Sequence, residues 1–479
     1  MKDIHSLMDQ CDGIALAEQV KKKEVTPKEL LEASIERLEK VNPSINAVAE
    51  KLYDSAREAP ATTGAFEGVP TLVKDLFAPM QEARMSNGSL ALGEARPGLD
   101  DSVVSRLRAS GLRFIGTSTA PEFGISYTTE STRFGATRNP WNLDHSAGGS
   151  SGGAAAIVAA RVVPFAHGND GGGSIRVPSS CCGLFGLKPS RGLVPSGPLV
   201  GEGWGGMGCV HALTISVRDS AALLDVVSGA DLGAPYAAPT QQMSYLNSLQ
   251  QTVKPLRIAL VEDAGPWPLS AEALASVRHT AKLCESLGHS VEIVKFPVDL
   301  PSFFNSAFDV IAPNTLSYVQ LLGDMRGAPV QDEELEAGTR IILRERGNIS
   351  AVKYTQAIEH FHRLGREMAG FMQKFDVLLT PTLTREPPKI GDIRTLDANA
   401  SLDEFIQQSH GYCPFTAVFN STGQPAMSVP LYWTQNDLPL GSQFVGRFGE
   451  ESTLLQLAAQ LEQAQPWANN IPSTNARSK

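Results

Sequence analysis

Hydrophobic and polar positions near the start of the chain predict a helix that lies on a larger body. Thr26 and Glu29 have the spacing of a capping box, and Pro27 stands at the first helical position. The helix that follows has leucine and isoleucine on one face and is expected to end before Asn42-Pro43. We therefore expect an N-terminal helical arm packed on the main body of the protein.

Strand and helix patterns alternate after this arm. The apolar run 69–77 predicts a short buried strand, and a helix capped by Asp101 leads to a strand at 112–118. A clearer copy has a strand at 256–262, a helix, and a strand at 290–296. The later pattern predicts helices over about 300–375, a buried strand at 375–381 and a closing helix at 452–464. Such alternation predicts an α/β fold with a mixed, largely parallel sheet covered on both faces by helices.

Charge and cysteine content narrow the class of protein. The 479 residues carry a formal net charge of −10, which argues against nucleic acid as a partner. No apolar run is long enough to span a membrane, and the N-terminus lacks the pattern of a signal peptide. Six scattered cysteines fit neither a disulfide framework nor a zinc site. We therefore expect a cytoplasmic protein without a metal centre.

The densest chemical signal is the glycine-rich segment 148–176. Its two glycine-serine clusters are joined by an apolar, alanine-rich stretch that would pack, which disfavours a flexible linker. The stretch 168–173 has the glycine spacing of a phosphate-binding loop but lacks the lysine that must follow. The stretch 148–152 has the G-x-S-x-G pattern of a nucleophile elbow, but it follows the polar loop 139–147 instead of a buried strand. An α/β-hydrolase-type Ser-His-Asp esterase therefore stays an alternative.

The remaining interpretation is a loop whose backbone amides bind an anion. Consecutive glycines let N–H groups converge on one point without Cβ clashes. Next to Ser174 such amides can form an oxyanion hole, in which each donor stabilises the transition state by roughly 3–4 kcal/mol. The candidate donors are Gly171, Gly172 and Gly173. Arg176 is expected to pair with Asp170 and to clamp the two ends of the loop.

A serine nucleophile needs a base, and the sequence offers a lysine. Histidines without any surrounding motif stand at His145, His167, His211 and His410. Lys74 instead lies inside an apolar strand, where burial favours the neutral amine that a base requires. A serine–lysine pair is an established variant of the catalytic triad.

Four motifs together resemble the amidase signature family. They are GGSSGG at 148–153, GNDGGGSIRVP at 168–178, GLFGLKPS at 183–190 and PTLVKDL at 70–76. Further similar segments lie at 121–141, 216–221, 420–431 and 438–447, so the resemblance extends over nearly the whole chain. Asn169 is a departure, because the family usually has threonine at this position.

The resemblance implies a Ser–cisSer–Lys triad, with Ser174 as the acylated nucleophile, Ser150 as the bridging serine and Lys74 as the base. It also implies a cis peptide between Gly149 and Ser150 and a hydrogen bond from Ser151 to Lys74. The amide of Ser174 would join the oxyanion hole. The resemblance implies neither a metal nor an organic cofactor.

The resemblance also divides the chain into four parts of one continuous amidase domain. They are the N-terminal helical arm (1–65), the amidase signature catalytic core (66–235), a variable α/β region that lines the substrate pocket (236–415) and the C-terminal part of the core (416–479).

The implied activity is that of an amidohydrolase that cleaves a linear or cyclic carboxamide, a carbon–nitrogen bond other than a peptide bond. GVPTLVKDL, GEGWGGMG and FNSTGQPAMSVPL are most similar to the branch of 6-aminohexanoate-cyclic-dimer hydrolases and general amidases. Candidate substrate-pocket residues are Ile125, Trp204, Cys209 and Asn314. The A subunit of a glutamyl-tRNA amidotransferase, which would need protein partners, stays an alternative. The expected partner is a small-molecule amide, and the sequence leaves a homodimer open.

Overall fold

One eight-stranded mixed sheet forms the centre of the protein. The computed structural model describes residues 4–94, 96–394 and 397–477. The strands are β1 (Val48–Lys51), β2 (Pro70–Lys74), β3 (Arg113–Ser118), β4 (Glu130–Ser131), β5 (Gly135–Ala136), β6 (Arg138–Asn139), β7 (Asn142–Ser146), β8 (Phe165–Asp170), β9 (Phe185–Lys188), β10 (Cys209–Thr214), β11 (Arg257–Leu260), β12 (Ser290–Ile293), β13 (Val377–Pro381), β14 (Ala426–Val429) and β15 (Ser442–Gly446).

The helices cover this sheet and form the N-terminal arm. They are α1 (Ile4–Gln10), α2 (Gly13–Lys21), α3 (Pro27–Ile45), α4 (Tyr53–Glu58), α5 (Ser102–Ala109), α6 (Gly152–Ala159), α7 (Arg176–Cys182), α8 (Val217–Val227), α9 (Tyr245–Ser248), α10 (Ala271–Ser286), α11 (Leu300–Arg326), α12 (Ala337–Ile342), α13 (Ala351–Phe371), α14 (Leu402–Ser409), α15 (Val418–Thr422) and α16 (Glu451–Ala464). No helix within the described residues is both long and apolar enough to cross a membrane.

The strand order of the central sheet is β12-β11-β13-β15-β14-β9-β10-β8. Two neighbouring pairs, β11–β12 and β11–β13, are parallel. The other five neighbouring pairs are antiparallel. The α/β class and the mixed sheet are confirmed, but the prediction that the sheet is largely parallel was wrong. Both parallel pairs lie within 257–381, where helical connections link strands that are neighbours in the sheet.

Alternating side chains of the strands supply core clusters on opposite faces of the sheet. Ile258 and Leu260 of β11 pack in one cluster together with side chains of α8, α10 and α16. Ala259, between them, packs in a second cluster with side chains of α11 and α13. This period of two confirms that helices cover both faces.

The helix α3 begins as predicted but ends later. Thr26 and Glu29 form the expected capping box. The helix continues through Pro43 to Ile45, and Asn46 ends it with a left-handed φ of 50°. A proline removes only its own N–H donor, so one further turn can form after it before a left-handed residue closes the helix. The prediction that the helix ends before Asn42-Pro43 was therefore wrong.

Four elements begin or end at one place and position the candidate site. Strand β2 ends at Lys74, and β8 ends at Asp170. Helix α6 begins at Gly152, directly after the two serines, and α7 begins at Arg176. All eight residues of α6 are buried, because its glycine and alanine residues leave room for close packing on every side.

The predicted division of the chain into four parts stays a prediction. The central sheet takes β8 to β10 from the predicted core, β11 to β13 from the predicted variable region, and β14 and β15 from the C-terminal part. These three parts therefore share one sheet.

Candidate active site

Lys74 is a fully buried amine at the end of β2. Its Nζ lies 2.7 Å from Ser150 Oγ and 2.6 Å from Asn169 Oδ1. The backbone carbonyl oxygen of Asn169 is a third neighbour, at 3.4 Å. Burial lowers the pKa of Lys74 well below its usual range, and the charge of Asp170 offsets only part of this effect. The site therefore favours the neutral amine, which is the form that can accept a proton.

The contacts of Lys74 determine which way its lone pair points. A neutral amine has two N–H donors and one lone pair. The side-chain Nδ2 of Asn169 donates to the carbonyl oxygen of Leu76 at 2.6 Å, so Asn169 Oδ1 must face Lys74. Both Asn169 oxygens can only accept, and they take the two N–H groups of the amine. The lone pair is left for Ser150, whose hydroxyl donates its proton towards Lys74.

Ser150 and Ser151 lie in the turn before α6, and only Ser150 contacts Lys74. The Gly149–Ser150 peptide is cis, as the resemblance implies. Ser151 Oγ donates to the carbonyl oxygen of Asn169 at 3.2 Å. The expected hydrogen bond from Ser151 to Lys74 was therefore wrong. In the described part of the chain, Ser151 reaches the lysine only through Asn169.

Ser174 lies in the loop between β8 and α7, and 4% of its surface is exposed. Its carbonyl oxygen accepts a hydrogen bond from Ser151 N–H at 3.2 Å, which joins this loop to the serine turn. Over the residues described, Ser174 Oγ forms no hydrogen bond with Ser150 Oγ, whereas Ser150 Oγ does contact Lys74. Catalytic hydrogen bonds often tighten only when substrate is bound.

The glycine loop uses one of its amides within the protein. Gly173 N–H donates to Asp170 Oδ1 at 2.7 Å, so this amide is not available to an oxyanion, and its inclusion in the hole was wrong. Gly173 has a φ of 139°, and a Cβ there would lie 2.5 Å from Thr416 Oγ1, so the position requires glycine. The predicted donors that remain are the amides of Gly171, Gly172 and Ser174.

The predicted pair of Asp170 and Arg176 is confirmed, and both side chains are fully buried. Arg176 Nη2 lies 2.8 Å from Asp170 Oδ1 and also donates to Asn420 Oδ1 at 2.6 Å. Arg176 Nη1 donates to Gln443 Oε1 at 2.7 Å. Burial by itself would raise the pKa of Asp170, but the Arg176 guanidinium and the Asn420 amide hold it below its usual range. The loop is therefore held by a buried, fully hydrogen-bonded ion pair.

A pocket opens onto Ser174 and the glycine loop, with Gly171 and Gly172 in its lining. Ile125 and Trp204, two of the predicted pocket residues, are in its wall. Helix α11 contributes four apolar residues to the remaining wall, Phe304, Ala307, Phe308 and Ile311. The pocket therefore suits an apolar chain attached to a group held at Ser174.

The other two predicted pocket residues do not reach this wall. Cys209 is buried on β10, with its Sγ 3.8 Å from Lys188 Nζ. Asn314 lies on α11 and donates to the carbonyl oxygen of Val310 at 2.8 Å. The prediction that Cys209 and Asn314 line the pocket was therefore wrong. Within the described residues, no three histidine, cysteine or acidic side chains are grouped so that they could hold a metal ion.

One of the four isolated histidines lies in the pocket wall, which the sequence analysis did not foresee. His410 lines the pocket, and burial lowers its pKa to about 3. No carboxylate of the described residues orients its ring, as a Ser-His-Asp triad requires. His167 lines a different cavity, and its Nδ1 accepts a hydrogen bond from the backbone N–H of Lys74 at 3.2 Å. The geometry therefore favours the lysine over a histidine as the base.

A buried lysine bound to a serine, beside a glycine loop that carries a second serine, is the arrangement that the resemblance implied. The chain belongs to the amidase signature family, since the family model described as Amidase matches residues 29–455. The protein is therefore an amidohydrolase, an enzyme that acts on carbon–nitrogen bonds other than peptide bonds.

Particular members are similar to the chain over nearly its full length. It is 36% identical over 474 residues to the 6-aminohexanoate-cyclic-dimer hydrolase of Paenarthrobacter ureafaciens, with 96% of each chain covered. A solved structure of 6-aminohexanoate cyclic dimer hydrolase complexed with substrate matches with a TM-score of 0.93 and 35% identity, covering 97% of this chain and 99% of that one. A bacterial aryl acylamidase of the same family matches with a TM-score of 0.87 and 30% identity, covering 96% of this chain and 97% of that one.

Proposed function

We propose that the protein hydrolyses small carboxamides through an acyl-enzyme on Ser174, with Lys74 as the base and Ser150 as the bridge between them. The observation that carries this proposal is the 2.7 Å contact between the fully buried Lys74 Nζ and Ser150 Oγ. The neutral amine presents its lone pair to Ser150, so a proton can move along the chain of hydroxyls towards the lysine.

In the first half of the reaction, Ser174 Oγ attacks the carbonyl carbon of the amide. Its proton passes to Ser150 Oγ as the Ser150 proton passes to Lys74 Nζ. The carbonyl oxygen becomes an oxyanion, which the amides of Gly171, Gly172 and Ser174 stabilise. Collapse of the tetrahedral intermediate breaks the carbon–nitrogen bond, and the leaving nitrogen takes the proton back along the same path. An amine leaves, and the acyl group stays on Ser174 as an ester.

In the second half, water attacks the ester carbonyl carbon and gives its proton through Ser150 to Lys74. The oxyanion forms at the same amides as before. Collapse of this intermediate breaks the bond to Ser174 Oγ, which recovers its proton from the relay. The carboxylic acid leaves, and the neutral lysine is restored.

The proposed substrate class is a linear or cyclic carboxamide with an extended apolar acyl chain, of the kind represented by the 6-aminohexanoate cyclic dimer. The apolar pocket beside Ser174 supports this choice. The similarity to 6-aminohexanoate-cyclic-dimer hydrolase over nearly the whole chain supports it as well.

The experiment that tests this function uses the isolated chain and three amides: hexanamide, the 4-nitroanilide of hexanoic acid, and the 6-aminohexanoate cyclic dimer. We expect ammonia and hexanoic acid in equal amounts from hexanamide, 4-nitroaniline and hexanoic acid in equal amounts from the anilide, and the ring-opened linear dimer from the cyclic dimer, measured by mass spectrometry, and none of these products with the Ser174→Ala variant. A wild-type chain that hydrolyses none of the three would contradict the proposal. Turnover that appears only when a second subunit is added would support the amidotransferase alternative instead.

The predicted cytoplasmic location and the question of a homodimer stay open to measurement. Cell fractionation tests the first, and light scattering on the purified chain tests the second.

A further inference from the structure

His410 stands in an unusual environment for an imidazole. The centroid of its ring lies 5.0 Å from that of Tyr127, 5.1 Å from that of Phe304 and 5.0 Å from that of Phe308. A fourth ring, that of Phe405, has its centroid at 5.9 Å. These aromatic side chains fix the plane of the imidazole on one side of the pocket and exclude water from most of it.

Besides the nucleophile, two polar side chains of the pocket wall, Trp204 and His410, have no side-chain hydrogen bond within the described residues, and of the two only His410 can both donate and accept. Tyr127 Oη donates to the carbonyl oxygen of Gly172 at 3.0 Å. Ser126 Oγ is hydrogen-bonded to Thr128 Oγ1 at 3.2 Å. His410 Nδ1 is buried and has no hydrogen-bond partner among the described residues. Nε2 also has no hydrogen-bond partner among the described residues but is not closed off in the same way, and the ring lines the pocket. An unpaired polar group in a pocket wall is a candidate for recognition of a ligand, so Nε2 is the nitrogen that a ligand would contact.

The imidazole offers hydrogen bonds without charge. Burial lowers the pKa of His410 to about 3, so the ring is neutral at physiological pH. A neutral imidazole has one N–H donor and one nitrogen acceptor. Both the carbonyl and the N–H of an amide are matched by such a group, whereas a carboxylate gains no ion pair from it.

We propose that His410 recognises a second polar group of the substrate, a carbonyl or amide carried by the acyl chain at a distance from the bond that is cleaved. This inference rests on the proposed function, because it takes the pocket beside Ser174 as the acyl pocket. The apolar residues that line the same pocket as Ser174 and His410, among them Phe308 and Ile311, would hold the methylene groups of the chain. The substrates thus selected are amides with a second amide or carbonyl further along the acyl chain.

The test compares two matched substrates, the 4-nitroanilides of hexanoic acid and of 6-acetamidohexanoic acid, which differ by the distal amide. We expect the wild-type chain to have a kcat/KM at least about tenfold higher for the acetamido substrate. We expect His410→Phe to lower kcat/KM for the acetamido substrate about tenfold more than for the hexanoyl substrate. His410→Gln, which keeps a donor and an acceptor, should retain part of the preference.

A control variant separates this role from a general effect of losing a buried histidine. His211 is also buried but lines a different cavity, so His211→Asn should leave the ratio between the two substrates at the wild-type value. If the ratio is the same in wild type and His410→Phe, the proposal is wrong.

A measurement on the wild-type chain keeps the test valid if His410→Phe does not fold. The acid products can be compared as inhibitors, and 6-acetamidohexanoate should bind at least about tenfold more tightly than hexanoate. Equal binding of the two acids would overturn the proposal. Failure of the proposed function is a different result, in which the wild-type chain hydrolyses neither anilide.

Discussion

Lys74 Nζ lies 2.6 Å from Asn169 Oδ1, inside a site where the lysine is fully buried. The side chain of Asn169 is held in turn by its hydrogen bond to the carbonyl oxygen of Leu76. The asparagine that replaces the usual threonine is therefore a direct partner of the proposed base. It supplies an acceptor that carries no charge, so it orients the amine and favours the protonated form less than a carboxylate would.

Replacing this neutral acceptor by a carboxylate tests how the charge of the acceptor affects the pKa of Lys74. In Asn169→Asp, a negative charge beside Nζ raises the pKa of Lys74 by about 1–3 units. Lys74 is inactive as a base when protonated, so activity rises with pH through its pKa. The acid limb of the kcat/KM profile should therefore move to higher pH, and activity at neutral pH should fall. The measurement is the pH profile with a 4-nitroanilide.

Asn169→Thr is the matched control, because threonine also offers an uncharged oxygen acceptor. Its acid limb should stay close to that of the wild type, even if its rate is lower. Superimposable profiles for the aspartate and threonine variants would contradict the account of Lys74 as a base oriented by Asn169.

The buried pair of Asp170 and Arg176 should contribute strongly to stability. Arg176→Gln leaves Asp170 as an unpaired buried charge, so we expect a loss of about 3–5 kcal/mol in the free energy of unfolding at pH 8. In the wild type the pKa of Asp170 is lower in the folded state than in the unfolded state, where it is about 4. Asp170 therefore contributes fully to the free energy of unfolding above about pH 4, and this contribution is lost as the pH falls through the folded pKa. In the variant without the arginine, burial raises the pKa of Asp170. The carboxylate is then protonated as the pH falls, which removes the destabilisation caused by an unpaired buried charge.

Urea unfolding at pH 8 and pH 5 measures this difference. The deficit of Arg176→Gln relative to wild type should be smaller at pH 5 than at pH 8. A control is Arg257→Gln, which removes an ion pair with Asp376 whose arginine is about half exposed, and its effect on the free energy of unfolding should be far smaller than that of Arg176→Gln. Equal deficits of Arg176→Gln at the two pH values would count against this interpretation of the pair.

The glycine loop should not tolerate a side chain at Gly172. A Cβ there would lie 2.8 Å from Tyr127 Oη, whose hydrogen bond holds the carbonyl oxygen of the same residue. In Gly172→Ala we expect kcat to fall by roughly 10²-fold, because the displaced backbone no longer aims its amide at the oxyanion.

A double variant distinguishes this steric clash from a general disturbance of the glycine loop. Tyr127→Phe removes the hydroxyl that the new methyl group would meet, so Gly172→Ala combined with Tyr127→Phe should recover part of kcat. The comparison needs steady-state rates of both single variants and the double variant. A double variant no more active than Gly172→Ala alone would refute the predicted clash.

Local patterns in the sequence predicted much of the fold. The capping box at Thr26 correctly predicted where α3 begins, and Asp101 caps α5 as expected. The direction of the strands was not predictable in this way, because it depends on which strands meet across the sheet. Strands β13 and β15, for example, pair in an antiparallel manner. More than sixty residues separate them in the chain, so no local pattern indicates that they are neighbours.

The candidate site was predictable where a motif carries it. Short glycine-serine motifs indicated Ser150 and Ser174, and an apolar strand indicated Lys74. Burial alone would not have identified the lysine, because Lys188 is also fully buried, but its Nζ donates to the carbonyl oxygen of Pro189. Only the motif and the contact with Ser150 distinguish the two.

Residues that act across long distances in sequence were missed. Asn420 and Gln443 hold Arg176. Both lie in segments that resemble the family, but nothing in those segments indicated a contact with Arg176. His410 enters the pocket beside Ser174 through packing of a short turn after α14. Such tertiary contacts leave no local signal in the sequence.

The most direct measurement of the central claim is covalent labelling with a serine-directed fluorophosphonate, followed by intact-mass analysis and peptide mapping. Three proteins are compared: the wild type, Lys74→Met, and Ser179→Ala, in which a buried serine hydroxyl without a partner among the described residues is removed. We predict one label on Ser174 in the wild type and in Ser179→Ala, and a labelling rate at least about 10³-fold lower in Lys74→Met. A label on Ser150 or Ser151, or Lys74→Met labelled at the wild-type rate, would contradict the Ser174–Ser150–Lys74 relay.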